Sequence, residues 1–265
     1  MADVLRHNRT SVNLKRSVEI CIEADSPGFS ASVEAAVRGG ADRIELCARM
    51  DLGGTAPSAD AIRTAGIITS DSVELLVMIR PRGGDFCYDQ SELLAMSASI
   101  ITAGDAGASG VVFGVLRAPA PDNREPLVEI DGTANAELLA LARNHGLTST
   151  FHRATDVLPH PAAAATKIEL LGFDRLLLSG IPWEGSVSDY VRHKTISSVF
   201  ESVSSGEMVG LELVLAGGIT PATAREWVAT YSIRNIPFSL HAYSGVLSGE
   251  KTSYRAVAAL VASAC

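Results

Sequence analysis

Residues 39–47 read GGADRIELC, and this stretch joins the expected end of a helix to the start of a strand. Paired glycines are typical of a helix C terminus. After them, isoleucine and leucine alternate with Arg43, Glu45 and Cys47, and side chains two residues apart share one face of a strand. The stretch therefore predicts a strand whose apolar face packs under helices and whose other face is polar.

The same unit recurs along the chain, where eight β-rich apolar runs alternate with Ala-rich stretches of helical length. The runs predict strands at 18–22, 43–47, 75–79, 110–115, 148–152, 175–178, 211–215 and 238–241. The stretches predict helices at 30–39, 58–68, 91–107, 133–145, 162–171, 187–203, 221–231 and 253–264, with Thr220 and Pro221 as N-cap and first residue of the seventh. Eight such units predict an α/β fold, a single (β/α)8 TIM barrel, over residues 17–265.

The composition limits the class of protein. The chain has 265 residues, of which 47% are hydrophobic, and a net charge of −8, which argues against a general nucleic-acid binder. No apolar run reaches about 18 residues, so we expect no membrane partner. Residues 1–16 lack the apolar core of a signal peptide and are interpreted as a flexible leader. Four cysteines are few for a chain of this length without a secretory signal, so we expect no disulfide framework. Their spacing is not that of a zinc site.

Strand parity predicts an unusually polar barrel interior, because barrels are commonly filled by branched apolar side chains. The inward residues with polar or sulfur-containing side chains are expected to be Glu19, Cys21, Glu23, Arg43, Glu45, Cys47, Met78, Arg80, Thr148, Thr150, His152, Ser239 and His241. Buried charges are costly unless paired. They indicate either a salt-bridge network that fills the barrel or a functional site at the C-terminal strand ends.

Two segments that follow strands contain residues suited to anions. Arg80 and Arg82 precede two glycines, and forked guanidinium donors beside an accessible backbone suit an anionic group. The alternative is a structural turn in which Arg80 pairs with Glu45. Gly217 and Gly218 follow the seventh strand and precede a predicted helix, where free backbone N–H groups attract anions, and His241 could complete that site. Glycines at a strand end also occur for packing alone.

The end of the fifth strand, FHRATD at 151–156, contains titratable groups that could carry chemistry. His152 can serve as general acid, general base or ligand. Asp156 could orient His152 or bind substrate, and a structural histidine is the alternative.

Cys21 and Cys47 are expected to point inward from neighbouring strands. Two facing thiolates would favour a soft ion such as Cu(I). Free cysteines are also common as small buried apolar residues.

Seven short motifs occur in order along the chain: EIC at 19–21, GGADRIELC at 39–47, GGTAPS at 53–58, MIRPRGGDF at 78–86, GVVFGV at 110–115, FHRATD at 151–156 and LSG at 178–180. Together they resemble the CutC family of copper homeostasis proteins. The resemblance implies a barrel, a cytoplasmic location, a homodimer and Cu(I) as ligand, with Cys21 and Cys47 as the metal ligands. The chain departs from the family at Thr155, where an aromatic residue is usual, and in the segments 117–131 and 181–188.

Two hypotheses for the function follow. The first is a copper homeostasis protein that binds Cu(I) through the two barrel cysteines. The second is an enzyme of unknown reaction that acts on a small anionic or phosphorylated substrate at the C-terminal face. Its candidate catalytic residues are Glu45, His152 and Asp156, and its candidate substrate- or anion-binding residues are Arg80, Arg82, Arg153, Ser179, Gly217, Gly218 and His241.

Overall fold

The structure is a computed structural model that describes residues 16–119, 128–204, 210–234 and 236–265. The proposed leader therefore lies outside the described residues, except for its last position.

Among the described residues, eight parallel strands close a barrel in chain order, and the last of them pairs back to the first. The barrel strands are β1 (Val18–Glu23), β2 (Arg43–Cys47), β3 (Glu74–Met78), β4 (Gly110–Phe113), β7 (Thr148–Phe151), β8 (Arg175–Leu178), β9 (Glu212–Leu215) and β10 (Phe238–Ala242). Two small antiparallel pairs, β5 (Leu116–Arg117) with β6 (Glu129–Ile130) and β11 (Leu247–Ser248) with β12 (Lys251–Thr252), lie outside it. The predicted single (β/α)8 TIM barrel is confirmed.

The helices surround the barrel in the predicted order. They are α1 (Phe29–Gly39), α2 (Ala59–Thr69), α3 (Gln90–Asp105), α4 (Gly132–Asn144), α5 (Pro161–Leu171), α6 (Asp189–Ser204), α7 (Ala224–Tyr231) and α8 (Tyr254–Ser263). Local sequence explains several of their ends: Asp89 forms a capping box with Glu92 at the start of α3, and Gly172 ends α5 in the left-handed conformation. Across the described ranges, no helix is long and apolar enough to cross a membrane.

The predicted start of α7 is wrong. The helix begins at Ala224, not at Pro221. The Thr220 hydroxyl accepts a hydrogen bond from the Thr223 backbone N–H, and the Thr223 hydroxyl accepts one from the Thr220 N–H. These two bonds close a separate turn, so the proline lies in that turn and not in the first turn of the helix.

The outward faces of the strands form the main core with the helices. Side chains such as Ile20, Ile44 and Leu46 are fully buried there, as the alternation predicts. Burial of each side chain of this size contributes about 1.5–3 kcal/mol relative to leaving it exposed. This core holds the polar residues of the inner face in place.

The N-terminal ends of the strands enclose a compact network of charges, which we call the lower layer. Its members are Glu19, Arg43, Glu74, Arg175, Glu212 and Ser239. The Arg43 guanidinium pairs with Glu19 at 3.0 Å and with Glu212 at 2.6 Å. Arg175 joins Glu74, at 2.8 Å, to the same network. At this end of the barrel, the salt-bridge interpretation of the polar interior holds.

Candidate functional site

The opposite end of the barrel contains a cavity of about 350 Å³. It lies at the C-terminal strand ends, where barrel enzymes carry their active sites. Nine of the twelve residues proposed from the sequence line it: Cys21, Glu45, Cys47, Arg80, His152, Arg153, Gly217, Gly218 and His241. We call five of these, Cys21, Glu45, Cys47, His152 and His241, the upper layer.

The two cysteines of the upper layer face each other. The Sγ atoms of Cys21 and Cys47 are 3.9 Å apart, and both residues are buried and free of disulfides. The hydrogen bond between the sulfurs, opposed by burial and aided by His241, lowers the pKa of Cys21 to about 6. The same bond, together with burial, raises the pKa of Cys47 well above its ordinary range. The pair therefore carries one thiolate and one thiol at neutral pH.

Glu45 and His241 adjoin the cysteine pair. Burial, and then the negative charge of Cys21, raises the pKa of Glu45 well above its ordinary value. Burial disfavours a charge on His241, but Glu45, Cys21 and Glu19 outweigh it and raise the pKa of His241. His241 Nδ1 lies 2.7 Å from Glu19 Oε1, so the imidazolium connects the two layers.

His152 is buried and lines the cavity beside Phe86, whose ring centre is 4.8 Å from its own. Burial, and then the positive charge of Arg80, lowers the pKa of His152 to about 3. Its Nδ1 accepts a hydrogen bond from the Ala154 N–H at 3.4 Å. The proton of the neutral ring is therefore assigned to Nε2, which has no partner among the described residues.

Arg80 does not pair with Glu45, so that part of the structural alternative is wrong, but Arg80 does hold the turns around it. Its guanidinium donates to the carbonyls of Leu52, Gly54 and Gly84 at 2.7–3.0 Å. The loop that supplies the first two carbonyls turns at Gly53 and Gly54, which both adopt positive φ angles. Gly53 lines the cavity. Arg80 is thus a buried cation that lines the cavity.

Arg82, Asp156 and Ser179 do not line the cavity. Arg82 is directed outward, where it pairs with Asp85 at 3.0 Å and with Glu92. Asp156 contacts Ser179 and Arg153, at 2.9 and 2.8 Å, and no hydrogen bond joins it to His152 in the described residues. Asp156 therefore positions Arg153, which does line the cavity, and does not orient the histidine.

Gly217 and Gly218 form a turn with positive φ angles at the edge of the cavity. They do not directly precede a helix N terminus, because α7 begins at Ala224. Instead, the guanidinium of Arg192 lies behind the turn and donates to the carbonyls of Ala216 and Gly217.

Residues 16–236 match the model of the CutC family. The chain belongs to the CutC family. A CutC family protein of Agrobacterium fabrum is 36% identical over 227 residues, which are 85% of this chain and 79% of that protein. The human copper homeostasis protein cutC homolog is 41% identical over 166 residues, 62% of this chain and 54% of the human protein. The structure of CutC from Streptococcus agalactiae superposes with a TM-score of 0.67 at 26% identity, covering 85% of this chain and 98% of that one.

The structure also places residues in the cavity lining, or in contact with it, that were not proposed from the sequence. Trp183 lies 5.1 Å from Phe86, ring centre to ring centre, and belongs to the unusual segment 181–188. Met50 lines the wall that contains the cysteines. Arg192 lies in α6, where no local pattern distinguishes it from a surface arginine. Thr155, in the position of the usual aromatic residue, is buried and donates to the His152 carbonyl at 3.2 Å.

Proposed function

We propose that this CutC chain is a copper homeostasis protein that binds Cu(I) through Cys21 and Cys47. The observation that carries the proposal is the pair of free thiols 3.9 Å apart at the wall of a cavity. Thiolates are the ligands that Cu(I) prefers, and Cys21 has the lowered pKa that makes a thiolate available.

The surroundings of the thiols fit a soft cation. Met50, which has a thioether sulfur, packs against the cluster that contains Cys21 and Cys47. Binding to both sulfurs releases the Cys47 proton and leaves a net negative complex. The imidazolium of His241 and the buried guanidinium of Arg80 stabilise that charge.

Competition with a Cu(I) chelator tests the proposal. The double variant Cys21→Ser, Cys47→Ser is compared with wild type and with Cys87→Ser, which removes a half-buried free thiol that does not line the cavity. We expect the double variant to lose more than about 100-fold in affinity, because even outer-shell partners of metal sites contribute about 10–100-fold. Cys87→Ser should bind as wild type. Equal affinity in all three proteins would exclude the cysteines as ligands.

A second function, an enzyme acting on a small anionic substrate, is favoured by two unpartnered atoms. Glu45 Oε1 and His152 Nε2 are buried and have no hydrogen-bond partner among the described residues. Both residues line the cavity. The Glu45 carboxylate can take a proton from the carbon next to a substrate carbonyl and return it, while the Nε2–H of His152 polarises the carbonyl oxygen. Arg80 and Arg153 would attract the anionic group.

Solvent hydrogen exchange tests this second function. Small 2-oxo acids and phosphorylated aldoses and ketoses are incubated in D₂O, and exchange at the carbon next to the carbonyl is followed by proton NMR. We expect Glu45→Gln to slow the exchange of an accepted substrate by about 100-fold or more, since general acid–base catalysis contributes about 10²–10⁴-fold. An unchanged rate in the variant would contradict the proposal.

We further propose that the protein is a cytoplasmic homodimer, as the family resemblance implies. Light scattering should give twice the mass of 27.8 kDa, and a monomeric mass would contradict the assembly.

A further inference from the structure

The cavity is much larger than a copper ion needs. Its volume of about 350 Å³ falls in the range of about 300–1,000 Å³ that is typical of small-molecule pockets. The cysteines occupy one part of the wall. Another part is formed by Phe86, Trp183 and the two turns that follow β9 and β10.

The turn that follows β9 presents unused backbone N–H donors, and the turn that follows β10 packs against it. Among the described residues, the N–H groups of Gly217, Gly218 and Ile219 donate to no protein acceptor. The carbonyls of Ala216 and Gly217 are bound from behind by Arg192. The second turn packs so closely on the first that no Cβ would fit between Gly245 and the Ile219 carbonyl. Consecutive free amides in a glycine turn are a known form of anion site.

Two buried arginines, Arg80 in the cavity lining and Arg192 behind the glycine turn, have no carboxylate partner among the described residues. Arg80 and Arg192 are 1% and 9% exposed, and each donates to three backbone carbonyls. Neither forms a salt bridge to a carboxylate within the described residues. Buried charges are normally compensated, because desolvation is costly. Two such unpaired buried guanidinium groups are therefore unusual in a chain of net charge −8.

Two polar side chains point to a ligand independently of the backbone. His152 is 3% exposed and Glu45 is 2% exposed, yet His152 Nε2 and Glu45 Oε1 have no partner among the described residues. Buried polar atoms are nearly always hydrogen-bonded in folded proteins. Since both residues line the cavity, a ligand oxygen can satisfy them.

We propose that the cavity binds a small organic phosphate monoester, with its phosphate on the N–H groups of Gly217, Gly218 and Ile219. Arg192 stabilises the phosphate charge from behind the turn. The organic part lies against Trp183 and Phe86, and its oxygen atoms reach His152 and Glu45. This site deepens the second candidate function and rests on its cavity, but it requires neither copper nor turnover.

Amide NMR titrations provide the first test. The probes are inorganic phosphate, phenyl phosphate and, as a neutral control, benzyl alcohol. We expect both phosphates to shift the amide signals of residues 217–219, and only phenyl phosphate to shift the indole signal of Trp183 strongly. Phenyl phosphate should bind at least about tenfold more tightly, because its ring buries apolar area. Shifts confined to other parts of the chain, or no shift, would overturn the proposal.

A matched pair of variants provides the second test. Gly218 has a φ of 75°, and asparagine and aspartate tolerate this conformation better than other side chains. Gly218→Asn and Gly218→Asp have the same size, but only the aspartate repels a phosphate. We expect Gly218→Asp to bind phenyl phosphate at least about tenfold more weakly than Gly218→Asn, since one like charge in a partly buried site costs more than about 1.4 kcal/mol. Equal affinities would refute the site.

Copper titrations separate this proposal from the first function. Both Gly218 variants should bind Cu(I) as wild type, and the Cys21→Ser, Cys47→Ser variant should still bind phenyl phosphate. If the cysteine variant loses phenyl phosphate while both Gly218 variants keep it, the ligand contacts the thiols and the proposed phosphate position is wrong.

Discussion

The two layers inside the barrel contain similar numbers of polar groups but satisfy them differently. In the lower layer, each charged side chain forms a salt bridge to another member, as in the contacts of Arg43 with Glu19 and Glu212. In the upper layer, Glu45 Oε1 and His152 Nε2 have no partner among the described residues, and the cavity lies beside them.

From this difference we infer a structural role for the lower layer and a ligand-binding role for the upper layer of the same barrel. Desolvation of a polar group is costly in both layers, and the lower layer offsets that cost through its own ion pairs. The upper layer leaves the cost unbalanced, which is a common feature of ligand sites. Mutations in the lower layer should therefore change stability, and mutations in the upper layer should mainly change binding.

The largest effect is expected from Arg43→Met. The substitution leaves Glu19 and Glu212 without their shared cation in a buried setting, and breaking a buried pair costs about 3–5 kcal/mol. Urea denaturation measures the free energy of unfolding. The matched control is Arg63→Met, which removes an exposed pair with Asp60 and should cost less than about 1 kcal/mol. Equal losses would mean that the lower layer is not a stabilising network.

A pH effect of about 3 kcal/mol is expected from His152. Because its folded pKa is about 3 and the unfolded value is about 6.5, only the unfolded chain gains the proton as the pH falls below 6.5. The stability that neutral His152 contributes is complete above pH 6.5 and is lost progressively towards pH 3. Stability falls by up to about 1.4 kcal/mol per pH unit below pH 6.5. The loss between pH 6.5 and pH 4 is therefore about 3 kcal/mol.

The variant His152→Gln should remove that part of the acid destabilisation when unfolding free energies at pH 7 and pH 4 are compared. His145→Gln is the control, because His145 is exposed. If both variants show the same pH dependence as wild type, His152 is not held neutral by burial.

A smaller and more specific effect is expected from changing one glutamate in each layer. In the folded protein the pKa of Glu19 is lowered to about 2, so Glu19 is charged at pH 7 and balances Arg43 and His241. Glu19→Gln removes that charge and should cost about 2 kcal/mol at pH 7. Glu45→Gln places a neutral amide where burial disfavours the charged carboxylate, so its cost should stay within about 1 kcal/mol. Thermal unfolding of the two variants in parallel measures the difference. A larger loss in Glu45→Gln would reverse the assignment of the layers.

The eight alternating strand and helix units were sufficient to predict the fold. The alternation of side chains along each strand predicted which of them point inward. The alternation in GGADRIELC correctly placed Arg43, Glu45 and Cys47 inside, because the period of a strand fixes the face of each residue. The same argument correctly placed Cys21 beside Cys47, since their strands are neighbours.

Parity could not predict which inner residues pair with each other. Arg43 pairs with Glu212, 169 positions away, because closure of the barrel brings β2 and β9 together on the inside. The alternation also could not predict contacts made by residues outside the strands. Arg82 is directed outward and pairs with Glu92, and Arg192, in a helix, donates to the glycine turn. These contacts depend on tertiary geometry that no local pattern encodes.

The most direct test measures stability and Cu(I) affinity in the same two proteins, Arg43→Met and Cys21→Ser, Cys47→Ser. We expect opposite outcomes for the two proteins. Arg43→Met should unfold about 3–5 kcal/mol more easily and, where folded, bind Cu(I) as wild type. The cysteine variant should keep its stability within about 1–2 kcal/mol and lose more than about 100-fold in Cu(I) affinity. If both properties change together in both variants, or if the cysteine variant still binds Cu(I) like wild type, the separation of a structural from a functional layer is contradicted.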